Sequence, residues 1–458
     1  MKKVQGIITI DELRQKVQAN EIDTVIACFP DMQGRLTGKR FHAEYFCQTA
    51  YAETHACNYL LAVDVDMEPV PGYEHASWEK GYGDFTLKPI LSSIRIATWL
   101  PATALVLCDL SDHHNHPIEI SPRAILSKQC ANVITLGYDV MAASELEFFL
   151  FEQNYKQCSQ NKYQDLSPLA GPYTEDYSIF LTSKEEEVMR AIRNHLHRSG
   201  VPVENSKGEW SPGQEEINIQ YCEVLEMADR HTIVKNAIKE IALMYDRSVT
   251  FMAKYHYSRA GSSSHMHISL RDSSGKNAFY DPSKPHGMSD LMCKFLAGML
   301  EYVREVTWFL APYINSYKRF SAGTFAPTKA VWSIDNRTSG FRICGANTSS
   351  VRIECRIPGA DVNPYLAYAM LVAAGLKGVK EQLPLGKEFS GNAYNTADIS
   401  EIPTSLADAI TLMKKSSFIP EVIGTFAHNH YIHTAEWELF EMNRRVTDWE
   451  LWRGFERY

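Results

Sequence analysis

The sequence predicts an α+β fold in two parts: a small, mostly β N-terminal domain over residues 1–112 and a larger domain over residues 118–458. Three observations lead there. Between residues 59 and 110, apolar runs at 60–65, 86–87, 94–97 and 104–108 are broken by Pro and Gly, the punctuation of short strands joined by turns. From residue 121 onward helical and strand patterns mix without βαβ alternation, and neither a G-x-G-x-x-G turn nor a P-loop occurs. Between the two parts lies a polar break at 109–117, containing Asp112-His113-His114-Asn115-His116-Pro117.

Taken in order, residues 9–20 read as a short helix and 24–29 as a strand; Asp31-Met32-Gln33-Gly34 is a turn and 35–41 a second strand. The three histidines of the polar break could bind a metal, but beside a proline they read as a solvated turn. Residues 139–151 form an apolar strand interrupted by Ser144-Glu145-Leu146-Glu147-Phe148. Side chains alternate along a strand, so Glu145 and Glu147 share one face. Two carboxylates side by side repel and are costly to desolvate. A cation, an Arg or Lys, or shared protons must hold them, unless the strand lies at an edge beside surface bases. Ser183-Lys184-Glu185-Glu186 reads as a capping box, with Val188, Ile192 and Leu196 carrying a helix to Gly200. Helical spacing recurs at 228–245, 290–310 and 364–380.

Composition narrows the function. With 458 residues, 45% hydrophobic and 22% charged, the chain suits a soluble protein with a sizeable core. A net charge of −9 argues against nucleic acid as the main partner. No 18-residue uncharged apolar run is present, so no membrane span is expected. The chain opens Met1-Lys2-Lys3, but Asp11, Glu12 and Arg14 precede any apolar core of signal length, so no secretory signal is expected. The ten cysteines form no C-x-x-C pair, which fits reduced thiols in a cytoplasm rather than disulfides or a zinc site.

Three further strands share the habit of residues 139–151, with polar side chains at i and i+2. After Ser211-Pro212-Gly213 come Gln214, Glu216, Asn218 and Gln220, with Glu209 just ahead of the turn. Residues 264–270 align His265, His267 and Ser269, and residues 351–356 align Arg352, Glu354 and Arg356. Each pattern alone is more often structural. Four together need a wet or metal-filled cavity to face. If they converge, five glutamates and at least one histidine suit Mg²⁺ or Mn²⁺ rather than zinc or copper. That is more carboxylate than one octahedral ion takes, so two or more ions are expected, as in phosphoryl transfer. Arg319, Arg337, Arg342, Arg352 and Arg356 would clamp phosphate and carboxylate oxygens. The residues alone imply a metal-dependent enzyme handling phosphate and an acidic substrate.

Six runs, in order, resemble the glutamine synthetase family over nearly the full length: residues 144–148, 212–216, 263–270, Asn315-Ser316-Tyr317-Lys318-Arg319, Asp335-Asn336-Arg337-Thr338 and 352–365. The resemblance implies a small N-terminal β-grasp domain followed by a larger catalytic domain with a curved antiparallel sheet flanked by helices. It also implies two stacked hexameric rings, a dodecamer in which the neighbour's N-terminal domain completes each site. One metal site would be Glu145, His265 and Glu354, the other Glu147, Glu209 and Glu216. Gly261, Arg319 and Arg356 would hold L-glutamate; Ser269, Arg337, Arg342 and Arg352 would serve ATP and the transferring phosphate. His267 would lie beside the substrates. The implied chemistry is transfer of the γ-phosphoryl of ATP to the glutamate γ-carboxylate, then displacement of phosphate by an amine.

Two departures concern the amine. Glutamine synthetases carry a Glu two residues before the flap proline, where this chain reads Gly323-Thr324-Phe325-Ala326-Pro327. Phe325 can shield an intermediate but cannot act as a base. The family's Asp-Gly-Ser-Ser run is missing from the N-terminal part, and residues 57–66 offer Asp64 and Asp66 instead. Ala260 also replaces an Asn that helps hold glutamate. The Phe325-Ala326-Pro327-Thr328 run resembles the γ-glutamylpolyamine and γ-glutamylmonoamine synthetase branch, in which an aromatic face would meet the alkyl surface and ammonium head of a larger amine. The expected activity is therefore an ATP-dependent glutamate–amine ligase. A true glutamine synthetase using ammonia is the nearest alternative, and a non-catalytic nitrogen sensor a weaker one. Tyr394 and the histidines His428, His430 and His433 read as surface structure.

Overall fold

The structure of the chain, a computed structural model, describes residues 4–396 and 399–458. The opening Met1-Lys2-Lys3, weighed above for a signal segment, lies outside the described residues. Six strands form the first sheet: β1 (Thr24–Pro30), β2 (Leu36–His42), β3 (Thr54–Cys57), β4 (Asp84–Pro89), β5 (Arg95–Ile96) and β6 (Thr103–Ser111). Their order is β2-β1-β6-β4-β3, with β5 on β6. β1 and β2 are an antiparallel hairpin, whereas β1 and β6 pair in parallel from Thr24 opposite Thr103. Asp31 sets the hairpin turn, accepting the N–H groups of Gln33 at 3.0 Å and Arg35 at 2.8 Å. A capping box of Thr9 and Glu12 starts the helix Ile10–Gln18, whose Leu13 is fully buried. The run at 60–65 is not a strand. Asn58–Leu61 forms a 3₁₀ turn there, and only a bridge from Val63 to Pro69 follows.

The polar break begins later than its composition suggests, because β6 runs on through Ser111. Asp112 then accepts the N–H groups of His114 and His116, both at 2.8 Å, so the three exposed histidines sit on a solvated turn.

Nine strands form the second sheet: β7 (Tyr138–Phe151), β8 (Val203–Gly208), β9 (Gln214–Ile219), β10 (Cys222–Glu223), β11 (Ser248–Thr250), β12 (Ser264–Asp272), β13 (Trp332–Ile334), β14 (Phe341–Cys344) and β15 (Arg352–Cys355). The main path is β13-β14-β15-β12-β7-β9-β8, with β10 and β11 on β7. All these pairings are antiparallel except β13 with β14. Val140, Ala142, Ser144, Leu146, Phe148 and Leu150 are the buried alternate residues of β7. The helix Val224–Met244 packs against this strand, and the nearly all-buried helix Pro364–Lys380 packs on Asp290–Tyr302 and Pro122–Ile134. Tyr368 of Pro364–Lys380 donates to the Ala143 carbonyl at 2.7 Å.

Two buried polar devices join the layers. Arg123 grips Asp229 in bidentate fashion, both contacts at 3.0 Å; it also reaches Asp109 on β6 at 2.6 Å, and Tyr365 donates to Asp229 at 2.7 Å. Asn363 caps the helix Pro364–Lys380 through its side-chain oxygen, while its amide donates to the Met32 carbonyl at 2.9 Å in the turn of the first sheet.

Local expectations also fail among the helices. The 290–310 pattern is two helices, Asp290–Tyr302 and Thr307–Leu310. Ser183 caps nothing: its hydroxyl donates back to the Ile179 carbonyl at 2.7 Å, and the helix Glu186–Arg198 starts after Glu185 without a side-chain cap. Glu186 is instead held by Arg193 at 2.5 Å. His428 and His430 are buried rather than superficial. His430 stacks on Tyr73 at 4.4 Å, and burial followed by the nearby His75 pushes its imidazole down to about 3, so it is neutral.

Candidate active site

Strand register assembles the site. On β7, Glu145 lies opposite His265 of β12 and Asn218 of β9, and Glu147 lies opposite Glu216. On β15, Glu354 lies opposite His267 of β12 and Arg342 of β14. The four polar-faced strands therefore do meet on one face of one sheet. Glu209 joins them from the turn between β8 and β9. Gly213, at φ +70°, closes that turn in a conformation that favours glycine, and a Cβ there would lie 2.8 Å from the Leu150 carbonyl oxygen.

Glu147, Glu209 and Glu216 each direct one oxygen into a common space, all within 4.8 Å of one another. Glu147 and Glu216 are buried. Glu147 Oε2 accepts the Ser263 N–H at 2.8 Å and the Gln214 amide at 3.1 Å. Even so, burial and the neighbouring Glu209 charge push its carboxyl up to about 7. Burial, with the charges of Glu145 and Glu209, likewise raises Glu216 well above the usual carboxylate range. Lys207 is the cation in contact, its ammonium touching Glu209 and lying 3.5 Å from Glu216. Three hard oxygen donors answered by one lysine fit a divalent cation.

The second group is Glu145, His265, His267 and Glu354. His265 Nδ1 lies 2.9 Å from Glu145 and 3.5 Å from Glu354, and its Nε2 is buried without a partner. His267 Nε2 lies 2.9 Å from the other Glu145 oxygen, and the Arg352 Nε–H donates to His267 Nδ1 at 3.2 Å. Ligand atoms of Glu145, His267 and Glu354 lie within 4.8 Å of one another, as do those of Glu145, Glu216 and His265. Both imidazoles thus share Glu145, whereas the family resemblance gave only His265 to a metal. Glu354 is 0% exposed and accepts from Arg356 at 2.6 Å and Arg342 at 3.0 Å. Burial alone would raise it, but the Arg356 charge, then the two imidazoles, hold it down at about 2.

The arginines divide by what occupies them. Arg319 is buried, and its terminal nitrogens donate to the carbonyls of Ile357 at 2.7 Å and Arg356 at 2.9 Å and to the Ser263 hydroxyl at 2.8 Å. It therefore anchors the loop around the site with most of its donors. Gly261 leaves room for it, since a Cβ would lie 2.6 Å from Arg319 Cγ. Arg342 spans Glu354 and Asp335. Arg337 is exposed in the turn between β13 and β14. Ser269 and Arg352 line a cavity of about 1240 Å³ that begins at Glu145 and His267 and extends past Asn205, Tyr221 and Lys276. That is ample for a nucleotide.

The flap carries the unusual backbone. Phe325 is 50% exposed at φ +57°, a left-handed conformation rare for a bulky side chain. Its ring meets Trp210 edge-on at 5.4 Å, its carbonyl accepts from Arg356 at 3.5 Å, and the Tyr394 hydroxyl donates to the adjacent Ala326 carbonyl at 3.0 Å. Tyr394 is thus a half-buried flap support, not a surface tyrosine. Asp64 is taken up elsewhere, accepting from Asp66 and Glu68 of its own turn and from Trp437 at 3.3 Å. Lys207 and Trp210, which flank Glu209, escaped the sequence reading; Lys207 stands two residues before Glu209, the same i and i+2 spacing that marked the other strands.

Residues 119–453 match the family described as glutamine synthetase, catalytic domain. Over 449 residues the chain is 44% identical to the γ-glutamylethanolamide synthetase GlnA4 of Streptomyces coelicolor, covering 98% of this chain and 96% of that one. It is 35% identical over 445 residues to the glutamate–isopropylamine ligase of a Pseudomonas species, covering 96% and 97%. It is 30% identical over 456 residues to the glutamine synthetase of Thermotoga maritima, covering 97% and 99%. A solved structure described as a GmaS/ADP complex shares the fold, with a TM-score of 0.85 at 23% identity over 98% of this chain and 99% of that one.

Proposed function

Because the chain belongs to the glutamine synthetase family, we propose that it is an ATP-dependent ligase joining the γ-carboxyl of L-glutamate to a small organic amine. The observation that carries the choice of acceptor is Phe325: an aromatic ring packed on Trp210 occupies the flap where an ammonia-using site needs a carboxylate. Two relatives whose names specify an ethanolamide product and an isopropylamine substrate support a monoamine over a polyamine.

In this reading Glu147, Glu209 and Glu216 hold one divalent cation, Mg²⁺ or Mn²⁺, and Glu145, His265 and Glu354 hold another, with His267 beside them. Such ions would supply charge neutralisation for phosphate oxygens. The chain's own residues do the rest. Ser269, Arg337 and Arg352 orient ATP along the large cavity, and Arg342 faces the transferring phosphoryl group. Arg356 and the Gly261 backbone bind glutamate, while Arg319 fixes the loop that presents them. The γ-carboxylate oxygen forms a bond to the γ-phosphorus as the bond to ADP breaks. The amine nitrogen then attacks the acyl carbon, phosphate leaves, and the nitrogen gives up a proton. Residues 1–112 and 118–458 act as separate domains in this scheme, and sites are completed between subunits of two stacked hexameric rings. Among the described residues no helix is long and apolar enough to cross a membrane, and ten free thiols suit the cytoplasm.

The test is phosphate release with glutamate, ATP and Mg²⁺ or Mn²⁺ across ammonium, ethanolamine, isopropylamine, putrescine and spermidine. A monoamine should give the highest catalytic efficiency. Ammonium leading by a wide margin would return the chain to true glutamine synthesis, and no turnover with any amine would leave a non-catalytic role. Glu145→Ala should abolish phosphoryl transfer with the fold retained; full activity in that variant sinks the metal assignment.

A further inference from the structure

Behind the strand that carries Glu216 lies a set of carboxylates the reaction does not use. Glu215 precedes Glu216 on β9, so its side chain points to the opposite side of the sheet. There it meets Glu175, from the loop ahead of the short helix Ile179–Thr182, and Glu185, the residue before the helix Glu186–Arg198. One oxygen from each lies within 4.8 Å of the other two, and all three residues are 1% exposed.

The feature that points to a ligand is their lack of partners. Glu175 Oε1 accepts the Gly213 N–H at 2.5 Å. Glu175 Oε2, Glu215 Oε1 and both oxygens of Glu185 are buried with no donor from outside the cluster, where Glu185 faces the carboxyls of both Glu175 and Glu215. Glu185 could have capped its helix but does not, and its whole carboxylate turns into the cluster. The nearby cations are engaged elsewhere: Lys184 with the Ala170 carbonyl, Arg193 with Glu186 and Ser206, and Lys207 with Glu209. Among the described residues, no lysine, arginine or histidine forms an ion pair with any of the three. Buried carboxylates left this way are strongly unfavourable unless a cation or protons answer them.

We propose that Glu175, Glu185 and Glu215 bind a hard divalent cation at a structural site separate from the reaction centre. Three oxygen donors with no nitrogen or sulfur select Mg²⁺, Mn²⁺ or Ca²⁺ over zinc and copper. The ion joins three segments that, among the described residues, form no ion pair with one another. One of them also backs the reaction centre, because Asp176 N–H donates to the Glu209 carbonyl at 3.0 Å and Tyr177 N–H to that of Gly208 at 3.3 Å. The ion therefore fixes the backbone beneath Glu209 and Glu216 without touching substrate.

The experiment counts Mn²⁺ per chain by elemental analysis after gel filtration of the full-length protein without nucleotide. Wild type should retain three ions, Glu185→Gln two, and the double variant Glu145→Gln/Glu147→Gln, stripped of its reaction-centre ligands, one. Two ions in the wild type, or none in the double variant, overturns the site and leaves the three carboxylates sharing protons. If Glu185→Gln does not fold, the wild-type and double-variant counts still decide, since neither alters the cluster.

Discussion

Replacing Glu147 by Gln should stabilise the ion-free protein while destroying its function. In the folded chain Glu147 is held at about 7 against an ordinary 4.5. A raised carboxyl contributes its best stability below the unfolded value. That contribution is lost as pH rises from about 4.5 to about 7, and the loss is complete above 7. Roughly 2.5 units at ~1.4 kcal/mol each gives a penalty on the order of 3 kcal/mol at pH 8. A glutamine removes that charge and keeps the local bonds, because its carbonyl can accept both the Ser263 N–H and the Gln214 amide. For a chain of this length the unfolding entropy is about 1 kcal/mol per degree, so the expected gain in Tm is about 3 °C. The assay is thermal unfolding of chelator-treated wild type and Glu147→Gln at pH 8 and pH 5. The variant should melt higher at pH 8, the gap should shrink at pH 5, and added Mn²⁺ should raise wild type more than the variant. An ion-free variant that melts below wild type at pH 8 would refute the claim that this carboxyl is held at an electrostatic disadvantage for the sake of a cation.

Lys207→Met removes the ammonium that touches Glu209 and stands 3.5 Å from Glu216; a like charge some 4 Å from an ion costs about 1–4 kcal/mol per unit charge, so Mn²⁺ should bind about 10- to 100-fold tighter by calorimetric titration. Cation affinity should fall below pH 7 by up to about tenfold per pH unit for each proton displaced, since Glu147 and Glu216 must both release protons to bind; an affinity independent of pH between 5 and 7 contradicts this. Asp229→Asn should lower stability by about 1.5–3 kcal/mol in denaturant titration, because it removes the bidentate carboxylate from the buried Arg123 guanidinium and leaves it Asp109. Phe325→Gly relieves a left-handed strain of about 1 kcal/mol and loses a Trp210 contact of about 1 kcal/mol. Its Tm should hardly move, while its preference for larger amines over ammonium, read from catalytic efficiencies, should collapse.

Period-two alternation made the acidic face legible: Glu145, Glu147, Glu216, His265, His267 and Glu354 all lie on strands, where one rule fixes direction. What alternation cannot give is the partner across the sheet, which depends on pairing of segments as distant as β7 and β12. The sharing of Glu145 by His265 and His267 appears only there. The arginines were harder for a related reason. A guanidinium reaches several ångströms and takes whatever acceptors the loops bring, so Arg319 reads in sequence as a ligand clamp and in three dimensions holds carbonyls. Ser183-Lys184-Glu185-Glu186 failed because a cap is a local preference worth about 1 kcal/mol, and the tertiary placement of Glu185 overrode it.

The register that sets Glu145 opposite His265 and Glu147 opposite Glu216 also shapes how such a chain can change over generations. Inserting or deleting one residue in β7 would turn both carboxylates to the opposite face and take the phosphoryl chemistry with them. Phe325 sits in an irregular segment outside both sheets, where exchange or lengthening leaves every ladder in step. Under the proposed role of Phe325, acceptor choice can therefore drift while the phosphorylating half stays frozen, and new amide products would be reached by rewriting a loop a few residues long.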